Sequence, residues 1–185
     1  VRIAAPSLAA IVALSLGSIV FSLAGGSSAT AAAGYEALNA PQRLLDTRPG
    51  EPTVDGQFAG GGIRPAGSTL RLTVSGRAGL PAQMAVVVLN VTVTGPTGPG
   101  YVTVFPCDQQ RPTASNLNYS TGRTVPNAVI SALDGAGQIC LFTLQETHLI
   151  VDASGSFPGG SFDPLPAPRR LLDTRPGEPT VDGQF

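Results

Sequence analysis

Two groups of charged residues in this sequence have types and spacings that could support chemistry. Arg43, Asp46 and Arg48 fall within one short segment, and His148 stands four positions before Asp152. An arginine–carboxylate pair can orient a ligand through two parallel hydrogen bonds, or it can hold a strand in place. Side chains alternate between the two faces of a strand, so His148 and Asp152 would lie on one face. These five residues are the candidate binding residues, and for the first three a structural role is favoured.

The chemistry open to these residues is limited by the rest of the sequence. A zinc site needs three or four ligands, and the chain has a single histidine, so a structural role for His148 is favoured over a metal ligand or a His–carboxylate pair. The His-Glu-x-x-His and Gly-x-Ser-x-Gly motifs of zinc proteases and α/β-hydrolases do not occur. The aspartates show no EF-hand spacing for calcium. The sequence therefore predicts a non-enzyme with no catalytic residue, no metal site and no cofactor.

The two cysteines, Cys107 and Cys140, are predicted to form a disulfide. The alternative is a thiol catalyst that pairs one of them with His148. An exported protein meets an oxidising environment, which favours the disulfide. A loop of about 34 residues closed in this way stabilises a fold by about 3–4 kcal/mol in the chain-entropy description.

The amino-acid composition excludes nucleic acid as a partner and two kinds of lysine-dependent site, and it indicates a strand-rich fold. The formal net charge is −1 and charged residues make up 12% of the chain, so the basic surface of a nucleic-acid-binding protein is missing. All 11 basic residues are arginine, which excludes a P-loop lysine and a Schiff-base lysine. The 23 glycines and 17 prolines are typical of many short strands joined by tight turns.

The first residues have the order of an export signal. Arg2 precedes an apolar run from Leu8 to Ala24, and small residues follow, with Ala29-Thr30-Ala31 as one possible cleavage site. The alternative is an uncleaved anchor, but serines and a glycine interrupt the apolar run. We predict a mature protein that starts between Ala31 and Tyr35, is secreted or associated with the cell surface, and has no membrane contact after cleavage.

A long internal repeat is the most informative feature of the sequence. Residues 170–185 repeat residues 43–58 letter for letter, 127 positions further along the chain. That period is too long for a solenoid repeat of about 20–50 residues, so it indicates a tandem array of whole domains. We predict a signal-peptide helix at residues 1–33, a repeat domain at 40–157, a Pro/Gly linker at 158–168 and the start of a second, truncated repeat at 169–185.

Short apolar runs with turn sequences between them predict an all-β domain. In the central run Val87, Leu89, Val91 and Val93 would share one face of a strand. Glycine-rich segments such as 134–137 separate the runs and indicate hairpin turns. About eight strands result, and an antiparallel β-sandwich with a jelly-roll-like arrangement is expected. The expected strands are 43–48, 70–74, 85–94, 101–105, 115–119, 127–133, 138–144 and 148–153.

The order of motifs resembles a tandem repeat domain of secreted proteins from high-GC Gram-positive bacteria. The resemblance rests on a leading Arg-Leu-Leu-Asp-Thr-Arg at 43–48, Leu-Asn-Val-Thr at 89–92, Gly-Tyr-Val-Thr-Val-Phe-Pro at 100–106, Ser-Asn-Leu-Asn at 115–118 and the closing His148 and Asp152. A small departure is Ser156, where the family usually has an aromatic residue. The resemblance implies extracellular placement, often beside hydrolase or peptidase domains, and implies no activity.

Two functions remain open from sequence alone. The favoured one is a non-catalytic extracellular repeat module that acts as a spacer, an adhesion unit or a cell-wall contact. The alternative is a carbohydrate-binding accessory domain of a larger secreted hydrolase or peptidase. In that case any exposed member of Asn90, Asn116, Asn118 and Asn127, with Tyr101 or Tyr119, could contact sugar hydroxyls, although a structural role is favoured for these asparagines. Aromatic residues are only 5% of the chain, which favours the first. The expected partners are cell-wall or extracellular polysaccharide and other repeats of the same chain.

Overall fold

The computed structural model describes residues 34–165, 168–178 and 180–183. The predicted signal peptide at residues 1–33 lies outside the described residues, so its cleavage stays a prediction. All eight regular elements in the described part of the chain are β-strands. The eight strands are β1 (Glu36–Asp46), β2 (Thr69–Thr73), β3 (Val86–Thr94), β4 (Gly100–Pro106), β5 (Leu117–Tyr119), β6 (Val125–Ala132), β7 (Gln138–Thr143) and β8 (His148–Phe157).

Two four-stranded antiparallel sheets pack face to face and form a β-sandwich. Their strand orders are β1-β8-β3-β6 and β2-β7-β4-β5. β1 pairs with β8, β2 with β7, β3 with β6 and β4 with β5. This pairing of first with last, second with second-last and so on is the connectivity of an eight-stranded jelly roll. The predicted fold class is confirmed.

The core lies between the sheets and follows the alternation in the sequence. Val87, Leu89, Val91 and Val93 on β3 are all at most 1% exposed, while their neighbours Asn90, Thr92 and Thr94 are partly exposed. The facing sheet contributes Leu72, Leu141 and other apolar side chains to the same cluster. Because the side-chain period of a strand is two, a shift of one residue would move this face out of the core, so the sequence fixes the register of β3.

The first strand is longer than its sequence pattern predicts. β1 begins at Glu36, upstream of the expected domain start at residue 40 and of the expected strand at 43–48. Its first half shows no apolar alternation and is mostly exposed. It is held by main-chain pairing with β8, from Glu36 opposite Ser156 to Asp46 opposite Ile150, with two irregularities between. The partner strand, rather than local sequence, therefore sets the start of β1.

After β8 the chain turns and carries the second copy of the repeated sequence. The Ser161 N–H and hydroxyl both donate to the Pro158 carbonyl, at 3.2 and 2.6 Å. The described residues beyond Phe157 contain no strand, and Leu171 and Leu172 are 73% and 60% exposed. We predict that this tail does not fold as an independent unit, because a single strand has no partner for its main-chain hydrogen bonds.

Candidate functional site

The candidate residues at the end of β1 and on β8 form one ion-pair cluster: Arg43, Asp46, Arg48 and Asp152. The strand register places Arg43 opposite Asp152. Arg43 Nε donates to Asp152 Oδ1 at 2.9 Å, and its Nη1 donates to Asp46 Oδ2 at 3.0 Å. Arg48 binds the same Asp46 carboxylate through Nε and Nη2, at 3.0 and 2.7 Å. The structure therefore brings together four of the five predicted residues.

Asp46 is the centre of this cluster, and its side chain is 0% exposed. Its Oδ1 accepts the backbone N–H of Arg48 at 3.1 Å in addition to Arg48 Nε. Its Oδ2 accepts one Nη group from each arginine. An ionised carboxylate offers about four lone-pair sites. These contacts fill them, so Asp46 has no site left for a ligand or a metal ion.

The electrostatics of the cluster favour its charged state. Burial raises the pKa of Asp46, but the hydrogen bonds and positive charge of Arg48, with the charge of Arg43, outweigh burial and hold that pKa below its usual value. The hydrogen bond to Asp152 raises the pKa of Arg43, and the hydrogen bond to Asp46 raises the pKa of Arg48. These paired charges hold the end of β1 against β8.

His148, the fifth predicted residue, has a separate partner. Its Nδ1 lies 3.0 Å from the Thr47 hydroxyl, which also accepts the Leu149 N–H at 3.0 Å. The Thr47 N–H donates to the Leu149 carbonyl at 3.1 Å. His148 is thus bonded to the loop that follows β1, whereas Asp152 is bonded to Arg43. The arrangement gives His148 a bracing role at the start of β8.

Arg77 is a buried clamp that the sequence analysis missed. Its side chain is 5% exposed, and it binds both oxygens of Asp55 at 2.8 Å. It also donates to the carbonyls of Thr73 at 2.8 Å and Leu44 at 2.9 Å, and its guanidinium lies 5.0 Å from the centre of the Phe58 ring. These hydrogen bonds lower the pKa of Asp55 to about 2. The clamp ties the loop after β2 to the loop after β1.

The predicted disulfide between Cys107 and Cys140 is confirmed, with Cα atoms 4.9 Å apart. It lies on the outer face of the β2-β7-β4-β5 sheet, over a small cluster with Phe105 and Phe142. Arg111 covers that cluster, with its guanidinium 3.7 Å from the Phe142 ring centre. Phe105 and Phe142 are 7% and 6% exposed, so neither ring offers a face to a sugar.

One polar cleft lies on the same outer face. Tyr101 on β4 stands opposite Asn118 on β5, and Asn118 is exposed. The cleft has a volume of about 350 Å³, and its other lining residues are Thr113, Ser115 and, from the tail, Arg170 and Arg175. Hydroxyl, amide and guanidinium groups around one aromatic ring are suited to hydrogen bonding with polar ligands. None of the five predicted residues lies in this cleft.

The sequence was compared with family models and with curated proteins. No family model matches the chain, and no curated protein matches it significantly. Among the described residues, no group of three or more His, Cys, Asp or Glu side chains could hold a metal ion. The described part also has no helix that is long and apolar enough to cross a membrane.

Proposed function

We propose that this chain is a non-catalytic extracellular repeat module, which serves as a spacer unit in a tandem array at the cell surface. The observation that carries the proposal is the saturation of Asp46 by four hydrogen bonds within the domain. The most distinctive motif of the repeat is thereby used to close its own fold. We take the recurrence of this motif as support for a structural unit, because the lone pairs of its buried aspartate are used within the fold.

The junction between the two copies supports a spacer. Phe157 at the end of β8 contacts both Tyr35, with ring centres 5.5 Å apart, and Phe162, with ring centres 5.2 Å apart. Phe162 stands 127 positions after Tyr35, so the aromatic residue that leads into each copy packs against the same ring. Aromatic contacts of this kind would attach the segment leading into a second copy to the end of the first domain. The disulfide and the resemblance to secreted tandem repeats fit an extracellular location.

A second candidate function rests on the polar cleft at Tyr101 and Asn118. Carbohydrate-binding sites combine an aromatic ring with several hydrogen-bonding side chains, and this cleft has both. In that case the chain would be an accessory domain that holds a secreted hydrolase or peptidase near a wall polysaccharide. The closed ion-pair cluster would still serve the fold.

One experiment separates the two functions. Purified cell walls and a panel of soluble glycans are incubated with the exported chain, with Tyr101→Ala and with a surface control, Gln109→Ala. The spacer proposal expects the same low retention for all three proteins. Retention of the exported chain and of Gln109→Ala, lost in Tyr101→Ala, would contradict it and support the carbohydrate-binding function.

A further inference from the structure

The edge position of the first sheet, which β1 occupies, could be filled by either of two segments of the chain. Among the described residues, β1 is an edge strand whose neighbouring strand is β8, and its last residue, Asp46, also bridges to Ala59. The register pairs Glu36, the first residue of β1, with Ser156 near the end of β8. A chain that leaves β8 at Phe157 is therefore already beside the place where β1 begins.

The chain that leaves β8 repeats the last four residues of β1 letter for letter, as Arg170–Asp173, while residues 163–169 are identical to residues 36–42 at three of seven positions. Asp163 stands 127 positions after Glu36, and the segment from Arg170 onwards is identical to that from Arg43 onwards. Residues 158–162 separate the end of β8 from this second first strand. Loops of about five residues commonly join antiparallel neighbours. The second copy could therefore pair with β8 as a hairpin once β1 and the loop bonded to it have left that position.

The second copy already has the local geometry of the first. Arg175 binds the Asp173 carboxylate through Nε at 2.9 Å and Nη2 at 2.6 Å, as Arg48 binds Asp46. Arg170 Nη1 reaches Asp173 at 3.1 Å, as Arg43 reaches Asp46 at 3.0 Å.

The backbone repeats as well. The Val181 N–H donates to the Arg170 carbonyl at 2.9 Å, and the Val54 N–H donates to the Arg43 carbonyl at 3.0 Å. The turn after the motif therefore has the same main-chain and ion-pair contacts in both copies.

The two copies differ in burial. Leu44 and Leu45 are 0% and 1% exposed in the core, whereas Leu171 and Leu172 are 73% and 60% exposed. The second copy therefore has apolar surface that the β1 position could bury, and its Arg170 would there face Asp152. Its aromatic lead residue, Phe162, already packs on Phe157, the ring that Tyr35 uses.

We infer that the β1 position is an exchange site whose second occupant is the repeated segment 163–183 of the same chain. When the first copy is displaced or damaged, the second copy folds back across residues 158–162 and completes the same jelly roll. In a tandem array, each first strand could close either its own repeat or the repeat before it. A repeat would then survive the loss of its own first strand.

The test uses three variants of the full exported chain. Leu45→Asp disables the first copy, Leu172→Asp disables the second, and the third variant carries both. The two single variants carry the same substitution at equivalent positions of an identical sequence. Leu45→Asp also changes the mass of peptides from the first copy, so that hydrogen exchange in the two copies can be measured separately by mass spectrometry. Thermal unfolding, amide hydrogen exchange and sedimentation are measured for each.

We expect Leu45→Asp to keep a cooperative unfolding transition, with exchange at residues 171–175 slowed by about a hundredfold, as in a strand that opens only on sub-global unfolding. Leu172→Asp should match the parent chain, and the double variant should lose the transition. The inference is overturned if Leu45→Asp loses its transition as completely as the double variant, or if it stays folded while 171–175 exchange fast. Protection that appears only in a concentration-dependent dimer would also overturn it, because the hairpin closes within one chain.

Discussion

At the scale of single residues, arginine side chains pair with the aspartates at the end of β1 and in the loop after it. Arg77 is enclosed and binds Asp55 with both nitrogens of its fork, while two carbonyls accept its other hydrogens. A lysine ammonium has no such planar fork and could not make all of these bonds. The clamp and the ion-pair cluster hold the loop after β1 from two sides, and the carboxylates in both are paired within the fold.

We predict that Arg77→Leu lowers the free energy of unfolding by about 3–4 kcal/mol, because it leaves a partly buried carboxylate and two carbonyls without a donor. The matched control is Arg71→Leu, since the Arg71 side chain is 56% exposed and also pairs with an aspartate. Asp134 itself is buried, but the Ala136 and Gln138 N–H groups still donate to its Oδ1, so loss of the exposed Arg71 should cost about 1 kcal/mol or less. Urea unfolding measures both variants, and equal losses would refute the assignment of Arg77 as a clamp.

The same clamp predicts how stability depends on pH. The pKa of Asp55 is lowered from 3.8 to about 2 in the folded protein, mainly by its hydrogen bonds with Arg77. A group with a lowered folded pKa stabilises the protein above its unfolded pKa, and this stability is lost as the pH falls towards the folded pKa. The free energy of unfolding should therefore decrease between about pH 5 and pH 2.

Arg77→Leu should flatten that decrease, because the pKa of Asp55 then returns towards its usual value. The measurement is urea unfolding of both proteins across that range of pH. An unchanged slope in the variant would contradict the prediction.

At the scale of strands and loops, the sequence predicted what depends on local pattern. β3 was predicted because alternating apolar residues must face the core, and its four inward residues are buried. The first half of β1 was not predicted, because its exposed residues carry no pattern and are ordered by pairing with β8. Arg77 was missed because its partners Asp55 and Leu44 lie 22 and 33 positions away and meet it only in the folded chain.

The disulfide is an element-scale device that joins the end of β4 to β7. We predict that replacing Cys107 and Cys140 by serine lowers the free energy of unfolding by about 3–4 kcal/mol, as expected for a bridge across 33 positions. Urea unfolding with and without a reductant provides the measurement. The reductant should destabilise the parent chain and leave the serine variant unchanged. A reductant effect of equal size on both would show that the bridge is not its cause.

At the scale of the whole molecule, one jelly roll is followed by a second copy of the segment that begins at Arg43. Each copy carries the Arg-Leu-Leu-Asp-Thr-Arg motif, but only the first lies against a partner strand. In the first copy Asp46 supports the whole domain, and in the second Asp173 supports only its own turn. A substitution of Asp173 is therefore the control for the same substitution of Asp46, since both aspartates make the same ion pair but only Asp46 lies in a strand.

The most direct test is the free energy of unfolding of three proteins: the parent chain, Asp173→Asn, and the double variant Asp46→Asn with Asp173→Asn. The double variant prevents either copy from supplying the carboxylate. We predict that Asp173→Asn unfolds like the parent chain and that the double variant loses about 3 kcal/mol, because two guanidinium groups lose a buried partner. If the double variant unfolds at the same urea concentration as the parent chain, the motif does not close the fold and the proposed structural role is wrong.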